Sequence, residues 1–113
     1  MTHYMKLNPA PFGLIREGKK TIELRLYDEK RRKIKVGDEI EFKSTATGET
    51  LLCSVTALRV FESFAELYKS LPLLSCGYTP SDISAASPDD MSAYYSPKEQ
   101  TMYGVVGIEI KLL

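Results

Sequence analysis

The chain has 113 residues, 43% hydrophobic and 27% charged, with fifteen basic and fifteen acidic side chains. This length suits one compact core and is too short for two ordinary domains, so we expect a single domain over residues 1–113. No apolar run approaches the roughly 20 residues that cross a bilayer, and the N-terminus lacks the apolar segment of a secretory signal. We therefore expect a cytoplasmic protein with no membrane partner.

Few residues are available for metal or cofactor chemistry. Cys53 and Cys76 are the only cysteines, and we interpret them as reduced thiols in the core. His3 is the only histidine, and its place near the terminus predicts a surface residue. The usual zinc ligand sets, a Ser-His-Asp arrangement, a phosphate-binding loop and a dinucleotide fingerprint are all missing. We expect no metal and no cofactor.

The zero net charge conceals an uneven distribution along the chain. Residues 1–35 contain ten of the fifteen basic residues and four of the fifteen acidic ones. This pattern indicates either one positive face that accepts phosphate, or solvated lysines and arginines that protect strand edges from aggregation.

The first eighteen residues predict a short strand and a helix. Residues 4–7 can start a sheet, and the Asn-Pro pair at 8–9 is typical of a helix start, with Pro at the first helical position. Phe12 and Ile15 give the helix an apolar side, and Gly18 is placed to end it.

The most regular pattern lies between Gly18 and Phe42. Residues 21–26 alternate between polar and apolar side chains, which is typical of a half-buried strand with one charged face. A basic run follows at 30–35. Residues 36–38, Val-Gly-Asp, predict a tight turn into a second short strand at 39–42.

The second half of the chain predicts two more strands and two short helices. Residues 51–60 form a long β-rich segment in which one face carries Leu51, Cys53, Val55 and Ala57. Ser63 and Glu66 have capping-box spacing, which predicts a short helix.

Residues 71–86 are irregular, whereas Ser87 and Pro88 predict a helix that ends at the Ser-Pro pair at 96–97. Residues 103–112 alternate and close the chain as a strand. Together, these patterns predict five or six strands with two or three short helices. In so small a chain, this content favours a twisted, partly closed barrel.

Three segments together resemble the ASCH domain family of the PUA-like superfamily. They are G-K-K-T-I-E-L-R at 18–25, V-G-D at 36–38 and Y-G-V-V-G-I at 103–108. The order of predicted elements also matches that family over nearly the whole chain. The resemblance implies an α+β fold: a PUA-like β-barrel of five to six mostly antiparallel strands with two to three short helices. It also implies a cleft beside the helix that precedes the octapeptide.

The resemblance further implies functions. ASCH domains are proposed to bind RNA, often in transcription or translation, and some members are ribonucleases or hydrolyse N4-acetylcytidine. In the amidohydrolases of the family, which hydrolyse N4-acetylcytidine, a motif lysine, a threonine three residues later and a distant glutamate are catalytic. Lys20 matches the lysine, Glu23 stands at the threonine position, and Asp90 is the tentative distant acid, with Asp89 and Glu99 as open alternatives.

Lys20, Glu23 and Arg25 are the candidate residues of the cleft. A lysine is a base or nucleophile only when its amine is neutral, and as an ammonium group it holds phosphate or a carbonyl oxygen. Glu23 can accept from a base amine or relay protons, and Arg25 can bind phosphate or stack on a ring. The structural alternative is a cross-strand charge ladder. Strict alternation places Lys20 opposite Glu23, so a shared site requires the backbone to turn where the strand starts.

The remaining candidates for ligand contact are basic, polar or aromatic: Lys19, Thr21, Arg31, Arg32, Lys33 and Tyr95. The basic run at 30–35 is the candidate phosphate patch, although such runs are often only solvated. Tyr94 and Tyr95 can stack on a base, with a core position as the alternative.

Three functions follow from these observations. The leading hypothesis is a protein that binds RNA or a nucleotide-like ligand in a basic cleft. The alternatives are a small amidohydrolase that acts on N4-acylated cytidine or a related modified nucleoside, and a protein-interaction module without catalysis.

Overall fold

The structure is a computed structural model that describes residues 1–113. Five strands form one sheet in the order β1-β3-β4-β5-β2. They are β1 (Thr2–Leu7), β2 (Ile22–Leu26), β3 (Glu39–Ser44), β4 (Thr50–Phe61) and β5 (Val105–Leu112). Strands β1 and β3 pair in parallel, and the other three pairings are antiparallel. The sheet curls into a half-barrel, which confirms the predicted α+β, partly closed architecture.

Four α-helices and two 3₁₀ helices accompany the sheet. They are α1 (Pro9–Arg16), α2 (Glu29–Arg32), α3 (Phe64–Ser70) and α4 (Pro97–Tyr103), with 3₁₀ helices at Ile83–Ala85 and Pro88–Ala93. The first predicted helix is confirmed: Gly18, at φ +76°, follows its end. The second is confirmed as well, because the Ser63 hydroxyl accepts from the Glu66 amide at 3.2 Å.

Two helices differ from the prediction. The Ser-Pro pair at 96–97 begins α4 instead of only ending the preceding helix, because the Ser96 hydroxyl caps the Glu99 amide at 3.1 Å. The basic run begins inside α2, a helix that the sequence patterns did not predict, because the Asp28 carboxylate accepts from the Arg31 amide at 3.1 Å.

The sheet separates two hydrophobic cores. The first fills the half-barrel and includes Phe12 from α1 and Phe42 from β3. The second lies on the other face of the β2–β5 end and includes Phe64 and Leu67 from α3. The apolar row of β2 packs into this second core, as the alternation predicted: Ile22, Leu24 and Leu26. The opposite face of β2 is thereby left to carry Glu23 and Arg25.

A bulge in β4 breaks the predicted alternation. The register with β5 passes from Val55 opposite Ile110 to Ala57 opposite Glu109, so one residue on β4 has no partner. Beyond the bulge, Leu58 packs against the first core in place of Ala57.

The prediction that His3 lies on the surface is wrong. Strand β1 begins at Thr2, so His3 falls on the same inward face as Met5 and is only 8% exposed. Its Nε2 atom lies 2.8 Å from Oδ2 of Asp38, in the turn before β3. Both cysteines are free and buried, as expected for core thiols.

Side chains from β2 and from the following helix α2 bridge the half-barrel to its other edge strand, β1. Nη2 of Arg25 in β2 donates to the Lys6 carbonyl oxygen at 3.0 Å, and Nζ of Lys30 in α2 donates to the Tyr4 carbonyl oxygen at 3.1 Å. We call this line of contact the seam.

None of the helices has the length and hydrophobicity needed to span a bilayer.

Candidate functional site

A cleft of about 560 Å³ opens beside the seam. This volume lies within the range of small-molecule sites in proteins. One wall comes from α1 and is apolar, with Ala10, Pro11 and Leu14. The other comes from α3 and the segment that follows it, and is aromatic, with Tyr68, Tyr78, Tyr94 and Tyr95.

Three charged side chains meet in the cleft, and we call them the charged triad: Lys20, Glu23 and Arg25. Nζ of Lys20 lies 2.8 Å from Oε1 of Glu23, and Nη2 of Arg25 lies 2.7 Å from Oε2. Nε of Arg25 donates to the same Oε2 at 2.8 Å. Glu23 is 3% exposed and Lys20 9%, so these charges are buried and paired.

The triad keeps Glu23 ionised. Burial by itself would raise the pKa of Glu23, but the charges and hydrogen bonds of Lys20 and Arg25 outweigh it, so this pKa lies below its usual value of 4.5. Both carboxylate oxygens are occupied by these bonds. Arg25 also interacts with the Tyr95 hydroxyl, but its five N–H groups outnumber these partners, and the remaining ammonium protons of Lys20 have no hydrogen-bond partner in the protein. The triad therefore offers hydrogen-bond donors to a ligand.

A backbone turn before β2 brings Lys20 to the same side as Glu23. The amides of Lys19 and Lys20 both donate to the Leu14 carbonyl oxygen, at 2.9 and 3.0 Å. The next two amides, of residues 21 and 22, both donate to the Ser75 carbonyl oxygen, at 2.8 and 3.0 Å. This arrangement meets the condition that strict alternation imposed on a shared site.

Gly77 packs directly against the Lys20 side chain. A Cβ atom at Gly77 would lie 3.2 Å from Cδ of Lys20, and the backbone of Gly77 has φ +114°. Glycine therefore suits this position, because it adopts this backbone conformation without strain and leaves room for the Lys20 side chain.

A hydrogen-bonded chain lines the aromatic wall. The hydroxyls of Tyr68 and Tyr78 lie 2.7 Å apart, and Tyr78 donates to Oδ2 of Asp90 at 2.6 Å. The hydrogen bond from Tyr78, and a second from the Ser87 amide, hold the pKa of Asp90 below its usual range. Asp90 also caps the second 3₁₀ helix, so it has a structural role besides lining the cleft.

Five predicted site residues line the cleft: Lys20, Glu23, Arg25, Asp90 and Tyr95. Tyr95 is half-buried there and stacks on Phe64, with ring centroids 6.3 Å apart. Neither of the other two candidate acids, Asp89 and Glu99, lines the cleft.

The other five predicted residues lie outside the cleft: Lys19, Thr21, Arg31, Arg32 and Lys33. Nζ of Lys19 pairs with Glu17 at 3.0 Å, and Nη1 of Arg31 pairs with Asp28 at 3.0 Å. Arg32 donates to a backbone carbonyl and covers the ring of Tyr27. Their part in ligand binding stays a prediction.

The charges in the cleft are balanced. Its lining contains three basic residues, Lys6, Lys20 and Arg25, and three acidic ones, Glu23, Asp82 and Asp90. The prediction of a basic cleft is therefore wrong, because the acidic residues equal the basic ones in number. Sequence reasoning also did not anticipate the presence of Lys6, Tyr68 and Tyr78. Tyr78 lies in the irregular segment 71–86, where no periodicity could indicate it. No group of three or more His, Cys, Asp or Glu side chains is placed to hold a metal ion.

Comparison with known proteins identifies the family and agrees with the fold. Residues 5–113 match the family model of the ASCH domain. Hypothetical protein PH0355 is 36% identical over the whole of both chains, with a TM-score of 0.84. Protein PF0455 from Pyrococcus furiosus is 38% identical, covers all of this chain and 98% of its own, and has a TM-score of 0.75.

More distant structures share the fold. The ASCH protein from Zymomonas mobilis, as its S128A mutant, is 12% identical over 97% of this chain and 67% of its own, with a TM-score of 0.68. No curated protein matches the sequence. The family match over residues 5–113 and the two structures above 35% identity lead to one conclusion: the chain belongs to the ASCH domain family.

Proposed function

We propose that the chain acts as one domain, residues 1–113, that binds RNA or a nucleotide-like ligand in the cleft. The charged triad carries this proposal: Lys20 and Arg25 present unused donors beside a buried, ionised Glu23. The membership of the ASCH family supports it.

The shape and chemistry of the cleft suit a nucleobase. A base is flat and carries hydrogen-bond acceptors, either carbonyl oxygens or ring nitrogens, which the free donors of the triad can bind. Tyr94 is 65% exposed at the aromatic wall, so its ring is accessible for stacking. The balanced charge argues for recognition by hydrogen bonding and stacking over attraction to many phosphates.

The experiment is fluorescence anisotropy of a labelled mixed-sequence RNA, titrated at low and at physiological salt. Tyr94→Ala should weaken binding several-fold, since base–aromatic stacking contributes about 1–3 kcal/mol. Tyr4→Ala is the matched control, because Tyr4 is 62% exposed and lies outside the cleft. Absence of binding by the wild-type protein at low salt, to this RNA and to mononucleotides, would reject the proposal.

Hydrolysis of an N4-acylated cytidine is the second candidate function. The observation that favours it is the 2.8 Å contact between Lys20 and Glu23, which places an amine and a carboxylate together in the cleft. The ionised Glu23 or Asp90 would take a proton from the attacking water, and the Lys20 ammonium group would polarise the amide carbonyl and stabilise the oxyanion. The carboxylic acid so formed would then give its proton to the leaving amine of cytidine. The test is turnover of N4-acetylcytidine, which Lys20→Ala should abolish while circular dichroism shows an intact fold. Full turnover by that variant would exclude Lys20 from the reaction, and inactive wild-type protein would exclude this function.

A further inference from the structure

A second, smaller depression of about 230 Å³ adjoins the cleft. It is lined only by polar residues and glycine: Lys6, Lys43, Ser44, Thr45 and Gly48. Lys6 and Thr45 also line the cleft, so the two sites are continuous. No carboxylate belongs to this lining, whereas the cleft has three.

Two lysines face each other across the strands at this place. Lys6 of β1 and Lys43 of β3 are register partners in the parallel pair, so their side chains lie on the same face of the sheet. Both are exposed, and neither ammonium group forms a hydrogen bond or ion pair within the protein. Like charges directly opposite each other destabilise a sheet. An anion between them would convert this repulsion into attraction.

Ser44 borders the depression but does not add its hydroxyl to the lysines. It follows Lys43 in β3, so the pleat directs its side chain to the opposite, buried face of the sheet. The residue is 3% exposed, and its Oγ accepts from the Ala46 amide at 3.3 Å. The hairpin that carries Ser44 is closed by Gly48, at φ +75°, where Cε of Lys43 lies 3.8 Å from the position of a Cβ atom. The nearby carboxylate of Glu49 is already paired with Arg16 at 2.8 Å.

We propose that Lys6 and Lys43 form a binding subsite for the phosphate group of a nucleotide whose base occupies the cleft. The two ammonium groups can each donate to the acceptor oxygens of a phosphate. The position of the base in the cleft rests on the proposed function, whereas the phosphate subsite does not. The subsite places the phosphate contact on β1 and β3 instead of the basic run at 30–35.

The experiment compares four nucleosides with their 5′- and 3′-monophosphates by calorimetry, together with inorganic phosphate followed by amide chemical shifts. The monophosphates should bind about tenfold more tightly than the nucleosides, as expected for one charged hydrogen-bonded contact. Lys43→Gln should remove this gain and leave nucleoside affinity unchanged, because Lys43 does not line the cleft. Lys111→Gln, an exposed lysine of β5, is the matched control.

Each result is decisive. Equal affinity for nucleosides and monophosphates would overturn the subsite and leave the proposed function standing. If no nucleoside or monophosphate binds, inorganic phosphate alone decides the subsite, and the proposed function is rejected only when RNA does not bind either. Shifts at amides 43–48 that disappear in Lys43→Gln would support the subsite, and unchanged shifts would overturn it.

Discussion

At the scale of single residues, Glu23 has the strongest energetic consequence. Its carboxylate is buried and neutralises two cations, the buried Lys20 and the partly buried Arg25. Removing one charge from such a cluster leaves the others uncompensated. Glu23→Gln should therefore lower the free energy of unfolding at pH 7 by about 3 kcal/mol, measured by urea denaturation.

The same carboxylate should shape the acid stability of the protein. Because the pKa of Glu23 is lower in the folded state than its usual 4.5, the unfolded chain binds the proton more readily. Stability is then present above pH 4.5 and lost as the pH falls through the folded-state pKa. Glu23→Gln should make the free energy of unfolding fall less steeply in this acid range, the acid limb of the pH profile. Glu62→Gln, at an exposed carboxylate, should leave the acid limb unchanged. An equally steep limb in both variants would contradict the ionised state of Glu23.

Gly77 tests how strictly Lys20 is positioned. Gly77→Ala introduces a Cβ atom 3.2 Å from Lys20 in a backbone with φ +114°. Gly18→Ala has a similar backbone penalty, at φ +76°, but meets no atom within 4 Å. Each should cost about 1–3 kcal/mol of stability. Only Gly77→Ala should shift the NMR signals of the Lys20 methylenes and weaken RNA binding. Equal effects of both variants on Lys20 would show that the contact does not position it.

At the scale of elements, the local patterns predicted most of the fold. Alternation located β2, and the cap at Ser63 located α3, because both signals depend on neighbouring residues alone. The bulge at Thr56 depends on the register between β4 and β5, which no local pattern encodes. The buried position of His3 likewise depends on pairing with β3, and α2 was hidden because its four residues are all charged.

The candidate site was predictable in part for the same reason. The alternation of β2 places Glu23 and Arg25 on one face, and the motif adds Lys20. The aromatic wall comes from segments that are distant in sequence, and Tyr78 occupies an irregular loop. The seam, which brings Arg25 to β1, arises only when the sheet curls.

The seam gives a prediction about edge strands. Lys30 donates to the Tyr4 carbonyl oxygen, so Lys30→Met should remove one bridge across the seam and keep an unbranched side chain of nearly the same length. We expect a loss of about 0.5–1.5 kcal/mol and faster amide hydrogen exchange in β1. Lys33→Met, in the same segment but without a hydrogen bond, is the control. Unchanged exchange in Lys30→Met would show that the bridge does not stabilise β1.

At the scale of the whole molecule, the basic excess of residues 1–35 does not form a free positive face. Most of these side chains are engaged within the protein: Arg16, Lys19, Lys20, Arg25, Lys30, Arg31 and Arg32. Lys6, Lys33 and Lys35 have no such partner in their side chains. A count of charges along the chain therefore overstates the cations available to a phosphate backbone.

The salt dependence of RNA binding distinguishes the two places where phosphate could be held. For single strands the slope of log K against log salt is about −0.7 per neutralised phosphate. If phosphate is held only at the Lys6–Lys43 pair, the slope should be shallow and correspond to about one or two neutralised phosphates. Lys43→Gln should flatten it by about 0.7, and Lys33→Gln should leave it unchanged. If Lys33→Gln flattens the slope instead, the basic run at 30–35 holds the phosphate. A wild-type slope that corresponds to several more neutralised phosphates would mean that the arginines of α2 leave their partners within the protein and bind RNA.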